Sequence, residues 1–275
     1  MAPRKERVQR TAAVRGDRPD SPAALRSPGL SFSTRQVAQL LAVGEATVKR
    51  LTDSGALPCL RGLNGGSRRF APEDLIAHLR QDHPAPAPVR PSLLHLAGAG
   101  EITQAVAVAL ELLAQGFTVE RFFDAFLAPV IQQAAPGFVE ALADRLAALG
   151  APRVGRVQPV AVIIPVGRSA DPWVSLVSAV FRAHAFEVLR PVDPANPRLA
   201  AQVALRANAR AVAFVFSGEL FADAVAEEAL ALAGQMAVAF APGSVCAVGP
   251  RLRSLPEGVV PLQSMEDLRG MIDAG

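Results

Sequence analysis

The segment between Ser33 and Leu51 constrains the fold most, because helix start and stop signals there enclose apolar residues at helical spacing. Ser33 or Thr34 can accept hydrogen bonds from the next backbone amides while Gln36 reaches back, as in a capping box. The apolar residues that follow at helical spacing are Val37, Leu40 and Leu41. The segment therefore predicts a short helix with one buried face.

A second short helix is predicted after a tight turn at residues 42–44. Gly44 is expected to adopt the left-handed conformation of that turn, because glycine tolerates it without a side-chain clash. Val48 and Leu51 give the second helix an inward face, and Gly55 ends it. Its outward residues are Thr47, Lys49 and Arg50. The pattern fits either a structural helical hairpin or a helix pair that reads a DNA major groove.

The segment after the second helix predicts a short two-stranded wing. Residues 57–61 lead through Asn64-Gly65-Gly66, a hairpin turn signal, into residues 67–70. The wing carries Arg61, Arg68 and Arg69 on the side of Lys49 and Arg50. Pro72 suits the first turn of a third helix, which closes the unit.

The run from Thr34 to Leu79 resembles the winged helix-turn-helix of excisionase and MerR-type regulators. The matching motifs are Val37-Ala38-Gln39-Leu40-Leu41, Thr47-Val48-Lys49-Arg50, Ser54-Gly55-Ala56-Leu57-Pro58 and Gly66-Ser67-Arg68-Arg69-Phe70. The resemblance implies binding to double-stranded DNA, with the second helix in the major groove and the wing along the phosphates. The DNA-binding residues expected are Thr47, Lys49, Arg50, Arg61, Arg68 and Arg69.

The charge distribution favours a polyanionic partner for the front of the chain alone. Residues 1–80 carry 14 Lys or Arg against 7 Asp or Glu, whereas residues 81–275 carry 14 against 18. Phosphate contacts supply most of the sequence-independent affinity for DNA, so only the front is predicted to bind it by charge. The basic residues before Gly29 stand among Pro, Ser and Asp, and we expect disorder there. This arm either lies along DNA or only solubilises the chain.

The chain is predicted to be multi-domain. The expected parts are a basic arm (1–30), a winged helix-turn-helix domain (31–82), a proline-rich linker (83–91), a four-helix bundle (92–152) and an α/β domain (157–275). The linker alternates proline with small residues, which favours an extended spacer. The phenylalanines of the third bundle helix recur at helical spacing, and we interpret them as core rather than as a ligand site.

From Gln158 onward, strands alternate with helices, which predicts a doubly wound parallel sheet. The predicted strands are 160–166, 186–189, 211–216, 245–248 and 259–260, with a long helix at 221–240. Such sheets bind ligands at the carboxyl ends of their strands. The candidate pocket residues are therefore Arg168, Trp173, Ser217, Gly218 and Gly249.

The bundle and the sheet together resemble the cobalamin-binding module of methionine synthases and of light-responsive, cobalamin-dependent MerR-type repressors. The markers are Phe126-Leu127-Ala128-Pro129, Val160 to Ile164, Phe186-Glu187-Val188, Phe216-Ser217-Gly218 and Val248-Gly249. In that family an Asp-x-His-x-x-Gly loop supplies the histidine below the cobalt, and the corresponding positions here are Arg168, Ala170 and Trp173. The resemblance thus implies a cobalamin-sensor architecture without its cobalt ligand.

These patterns predict a cytoplasmic, DNA-binding transcriptional regulator that is not an enzyme and needs no cofactor or metal. Its four histidines and its thiols, Cys59 and Cys246, lack catalytic or metal-ligand spacing. No apolar run is long enough to span a membrane and no signal peptide is recognisable. We expect a homo-oligomer whose rear half acts through a regulatory protein partner or a non-cobalamin ligand. Two alternatives stay open, a regulator that binds cobalamin or another tetrapyrrole without histidine ligation and a DNA-bound scaffold that recruits a partner.

Overall fold

A computed structural model describes most of the chain after the basic arm. The described residues are 31–60, 67–81, 93–150, 157–166, 172–190, 197–216, 224–249 and 255–274. The predicted arm (1–30) and the linker (83–91) lie outside them. The described residues form a small α+β unit, a layer of four helices, and a parallel sheet with helices on both faces.

The front unit contains three helices and a short antiparallel sheet. Its elements are β1 (Phe32–Ser33), α1 (Thr34–Leu40), α2 (Glu45–Asp53), β2 (Arg69–Phe70) and α3 (Pro72–Gln81). Arg69 pairs with Ser33 on one side and exchanges backbone hydrogen bonds of 2.7 and 2.9 Å with Leu60 on the other. The predicted two-stranded wing therefore gains a third segment at β1, which is too short to give a recognisable strand pattern.

The predicted capping box at the start of α1 is confirmed. The Gln36 amide donates to Ser33 Oγ at 3.3 Å, and the Ser33 amide donates to Gln36 Oε1 at 2.9 Å. The expected left-handed residue of the turn is not Gly44. Gly44 is extended (φ −75°, ψ 151°) and serves as the N-cap of α2, while Ala42 adopts φ 55°. Ala42 is the left-handed residue because it directly follows Leu41, the C-cap of α1. Gly44 can serve as the N-cap of α2 because glycine is accepted at that position.

The second part is a layer of helices with a break in its third member. The elements are α4 (Leu93–Ala99), α5 (Ile102–Ala114), α6 (Val119–Phe122) and α7 (Phe138–Ala147). A π-helical turn at Phe123–Leu127 and a 3-10 segment at Ala128–Gln133 continue α6. Thr118 Oγ1 caps α6 by accepting from the Arg121 amide at 3.1 Å, as predicted. Phe122 and Phe123 are fully buried, so these side chains belong to the core.

The third part is a five-stranded parallel sheet with the strand order β4-β3-β5-β6-β7. The strands are β3 (Val160–Val166), β4 (Glu187–Leu189), β5 (Ala211–Phe216), β6 (Val245–Val248) and β7 (Val260–Leu262). The helices are α8 (Pro172–Ala183), α9 (Pro197–Arg206), α10 (Ala224–Ala239) and α11 (Met265–Ala274). This order is that of a doubly wound sheet, as the alternating pattern predicted. The α8 and α11 helices cover one face with the helical layer behind them, and α9 and α10 cover the other.

The three parts share one apolar cluster, and the α/β part has a second cluster between the sheet and its α9 and α10 helices. The shared cluster extends from Phe32 in the front unit, through the helical layer, to Leu268 in α11. The front unit contacts the helical layer through α3 and α5, where Arg80 forms an ion pair with Glu111. The predicted linker therefore connects two parts that also touch directly. The domain boundaries themselves stay predictions.

The helical layer is joined to the α/β part by polar contacts at both ends of α11. Asp124, in the π-helical turn, accepts from the amides of Met265 and Glu266 at 2.8 and 3.0 Å and so caps the start of α11. At the other end, the His184 ring lies between Glu120 and Asp273, which belongs to α11. Each contact joins residues that are far apart in sequence.

Both cysteines are free thiols, as the sequence suggested. Cys246 is fully buried in β6, and burial raises the pKa of its thiol to about 12. The thiol therefore stays protonated near neutral pH and is not reactive.

Within the described ranges, no helix combines the length and the apolar character needed to cross a membrane.

Candidate nucleic-acid interface

The second helix of the front unit presents a basic side to solvent. Val48 is fully buried and fixes the helix on the core of the unit, so Lys49 and Arg50 are both exposed. Thr47 is partly exposed beside them. The three residues that the sequence assigned to this helix are thus at least partly exposed to solvent, and their contact with DNA stays a prediction.

The wing contributes one further exposed cation among the described residues. Arg69 is exposed, and its backbone is held between Ser33 and Leu60 by the short sheet. Arg61 lies outside the described residues. We call the exposed set Lys49, Arg50 and Arg69 the basic surface.

Arg68 has a partner within the protein. Its guanidinium donates to the Lys49 carbonyl at 3.0 Å and to Asp53 Oδ1 at 2.8 Å. The side chain is only 20% exposed, whereas that of Asp53 is 58% exposed. Arg68 therefore connects the wing to the C-terminal half of α2. A contact between Arg68 and phosphate stays a prediction.

Two residues near this surface were not singled out from the sequence. Asp53 is the ion-pair partner of Arg68, and no local pattern connects positions 15 residues apart. Arg35 is exposed in the first turn of α1, two residues after Ser33, which pairs with Arg69. In the sequence, the only feature that could have indicated a role for Arg35 is its positive charge at the start of the first helix. It is a further candidate for phosphate contact.

The front unit contacts the helical layer through its first and third helices. Leu75 and Leu79 of α3 are buried in the shared apolar cluster, and Gln36 of α1 donates through Nε2 to the Leu149 carbonyl at 2.8 Å. Docking therefore uses α1 and α3 and leaves the basic surface exposed to solvent.

The predicted ligand pocket at the carboxyl ends of the strands is described only in part. Arg168, Ser217 and Gly218 lie outside the described residues. Trp173 is in the first turn of α8, partly buried against the shared apolar cluster. A Cβ atom at Gly249 would lie 3.2 Å from both Cβ and the carbonyl oxygen of Phe216, so the end of β6 is closely packed against β5. The pocket stays a prediction.

A cleft of about 710 Å³ lies at the amino-terminal ends of the strands, opposite the predicted ligand pocket. Ala211, Ser244 and Val260 line it near the starts of their strands, and α11 forms its wall. Within the described ranges, no cluster of three or more His, Cys, Asp or Glu side chains has the arrangement of a metal site. The cleft therefore offers no metal chemistry from those residues.

A histidine-carboxylate contact that the sequence did not reveal joins the helical layer to the sheet helices. His184 Nε2 lies 2.9 Å from Glu120 Oε1, and His184 Nδ1 lies 4.0 Å from Asp273 Oδ1. Glu120 is only 4% exposed. Burial raises the pKa of Glu120, but hydrogen bonds from His184, its own amide and Thr118 outweigh burial and leave this pKa below its usual value. Glu120 is therefore a buried carboxylate at neutral pH.

Comparison with known proteins assigns a class to the front unit. Residues 31–83 match the family model of the helix-turn-helix domain. The match covers the basic surface, the capped first helix and α3. A 70-residue stretch is 41% identical to the transcriptional repressor DcmR of Methylorubrum extorquens, and it covers 26% of this chain and 26% of that repressor. The chain thus matches about a quarter of its relative's length.

Proposed function

We propose that this protein is a transcriptional regulator that binds double-stranded DNA through α2 and the wing. The observation that carries the proposal is the basic surface, which is exposed although the front unit packs on the helical layer. An exposed basic helix on a helix-turn-helix scaffold suits insertion into a major groove, while a wing cation suits a phosphate.

Within this proposal, the residues divide into base-reading and phosphate-binding groups. Thr47, Lys49 and Arg50 lie on α2 and are the candidates for base edges, since a groove-binding helix reads through its outward side chains. Arg69, on the wing, is assigned to phosphates, and so is Arg61, which lies outside the described residues and which the sequence predicts on the wing. Arg68 serves mainly to hold α2 against the wing through Asp53 and the Lys49 carbonyl.

We further propose that the rear half regulates the front unit without histidine-ligated cobalamin. The helical layer followed by a five-stranded parallel sheet supports a sensor or protein-contact module of the kind the sequence resemblance suggested. Trp173 stands where the family has glycine, and its indole is partly buried against the apolar cluster. The residues present therefore do not fit a histidine-ligated cobalamin. A protein partner or another ligand remains the proposed input.

DNA binding can be tested with duplexes selected from a random-sequence library by the unmodified protein. Fluorescence anisotropy would then compare the unmodified protein with Arg50→Ala and Arg69→Ala. Arg50→Ala should cost roughly 1–3 kcal/mol and relax the preference at one base position. Arg69→Ala should weaken binding to all duplexes alike. It should also reduce the slope of the logarithm of affinity against the logarithm of salt concentration by about one.

The matched control is Arg121→Ala, which removes an exposed arginine from the helical layer. It causes the same change in net charge but should leave DNA affinity unchanged. Equal affinities for the unmodified protein and the Arg50 and Arg69 variants would contradict the proposed interface. For the rear half, titration with hydroxocobalamin should give no spectrum of histidine-ligated cobalt, and such a spectrum would contradict that part of the proposal.

A further inference from the structure

The cleft at the amino-terminal ends of the strands has the size and lining of a small-molecule site. We call it the α11 cleft, because one side of that helix forms its wall. Its volume of about 710 Å³ lies within the range of roughly 300–1,000 Å³ that such sites occupy. Its larger apolar lining residues are Phe186, Val260, Leu262, Met271 and Ile272. Val260, Met271 and Ile272 are only partly buried, so apolar surface in the cleft is still in contact with water.

Two polar side chains lie together in the cleft where β5 and β6 begin. Arg210 directly precedes β5 and Ser244 directly precedes β6, and both line the cleft. The Val212 amide donates to the Ser244 carbonyl at 2.8 Å, so the two strand starts are adjacent. The Arg210 amide donates to the Val160 carbonyl at 2.8 Å, which fixes its backbone. Within the described ranges, neither the Arg210 guanidinium nor the Ser244 hydroxyl has a hydrogen bond or an ion pair.

We infer that the α11 cleft binds an amphipathic carboxylate, a molecule with one carboxylate and a medium-length apolar chain. Its carboxylate lies at Arg210 and Ser244, and its chain lies along Val260 and Met271. A guanidinium can donate to both oxygens of a carboxylate, and a hydroxyl can donate to either one. The apolar side chains beyond these donors suit a hydrocarbon, because they leave a second polar group without a partner.

The acidic residues of the lining limit the ligand to one carboxylate. They are Glu266 and Asp267, in the first turn of α11, whereas Ala274 at its end lies about 12 Å further along the helix. Asp267 accepts from two backbone amides at 3.1 and 3.0 Å. Glu266 is exposed and carries the second negative charge. A carboxylate at this end of the cleft would meet two like charges, so the anionic group belongs at Arg210.

The α11 helix also connects the cleft to the helical layer. Asp124 accepts from the first two amides of this helix at 2.8 and 3.0 Å. Asp273, near its other end, is not part of the lining, contacts Arg269 at 3.4 Å and lies 4.0 Å from His184. A ligand along α11 therefore touches the helix that joins the two parts. Its role as the input of the rear half rests on the proposed function, whereas the site itself does not.

The test is isothermal titration calorimetry of the full chain without DNA, with decanoate as the probe. A small ligand in a cleft that is open to water should bind with a dissociation constant of about 10–100 µM. Decanol lacks the charge and decanedioate adds a second carboxylate, so each should bind about tenfold more weakly. Equal binding of the three compounds, or decanoate binding that does not saturate, would overturn the inference.

Variants locate the binding within the cleft. Arg210→Gln should remove the preference for decanoate over decanol, because decanol does not use the guanidinium. Arg206→Gln, at an exposed arginine of α9 outside the lining, is the matched control and should keep the preference. No atom lies within 4 Å of a Cβ placed at Gly270, so Gly270→Phe should fill the cleft and weaken both ligands by about tenfold or more. Decanoate binding that neither Arg210→Gln nor Gly270→Phe alters would overturn the site.

The input role has its own readout. Decanoate should change the affinity of the unmodified protein for its selected duplex and should leave that of Gly270→Phe unchanged. A duplex affinity of the unmodified protein that decanoate does not alter would overturn the input role. A protein that binds decanoate but no duplex would contradict the proposed function, and with it the input role, but not the site. The two failures are therefore distinguishable.

Discussion

The side chain of Gln36 connects the helix-turn-helix unit to the C-terminal end of the α7 region, where Nε2 donates to the Leu149 carbonyl at 2.8 Å. The same side chain closes the capping box of α1 through Oε1, which accepts from the Ser33 amide. One residue therefore both starts the first helix and attaches it to the helical layer. Because α7 also packs on α8, this contact lies on a continuous path from the sheet to the helix-turn-helix unit.

Replacing Gln36 separates its two roles. Gln36→Glu keeps an acceptor for the Ser33 amide but places a carboxylate against the Leu149 carbonyl, which also accepts. We expect the free energy of unfolding in urea to fall by about 1–2 kcal/mol, the cost of an unmatched polar group. Gln39→Glu, at an exposed position of the same helix, is the control and should change it little. Equal losses in the two variants would show that the docking contact is not stabilising.

The role of Arg68 can be separated from that of a phosphate contact by changing its partner. Asp53→Ala removes the carboxylate that holds Arg68 at 2.8 Å. If Arg68 positions α2, DNA affinity should fall by about two- to fivefold, in line with the value of an exposed ion pair, although the protein gains positive charge. Glu45→Ala, at an exposed acid on the same helix, makes the same charge change and should not weaken binding. Stronger binding by Asp53→Ala would instead assign Arg68 to a phosphate.

The Glu120–His184 contact should make stability depend on pH in the acidic range. The folded-state pKa of Glu120 lies below its usual value of 4.5, so its contribution to stability is complete above that pH and is lost as pH falls through the folded-state pKa. Glu120→Gln should therefore be less stable than the unmodified protein at pH 7, and the difference should shrink below about pH 4.5. Urea unfolding at several pH values measures this. Glu187→Gln, at an exposed position, is the control and should change stability little at pH 7. A difference for Glu120→Gln that stays constant with pH would contradict the assignment.

Two helical glycines should respond in opposite ways to alanine. A Cβ atom at Gly234 in α10 would lie 2.7 Å from Cβ of Pro256, whose ring cannot rotate away. Gly234→Ala should therefore lower the free energy of unfolding by about 1–3 kcal/mol, because the clash outweighs the helix preference for alanine. Gly270 in α11 has no atom within 4 Å of that position, so Gly270→Ala should raise the free energy by up to about 1 kcal/mol. Two variants that shift the urea midpoint in the same direction would contradict this difference.

Local signals in the sequence predicted most of the helix and strand positions. The buried strands at 160–166, 211–216 and 245–248 were predicted with their observed bounds, because continuous apolar runs between turn residues leave little choice of structure. The capping box at Ser33 and the left-handed Gly55 after α2 were also readable, since each depends on residues within one turn. Local signals are insufficient where two conformations of a turn compete. The sequence predicted the left-handed residue at Gly44, but Ala42 adopts that conformation.

The contacts that define the candidate site and its connection to the rear half required the tertiary structure. The sequence determined by itself that a basic helix and wing exist, because Lys49, Arg50 and Arg69 follow from helical period and turn position. Only the fold decided that Arg68 is held by Asp53 and that Gln36 reaches Leu149, 113 residues away. The physical reason is that a local pattern sets which way a side chain faces on its own element. The group it meets depends on how distant elements pack against each other.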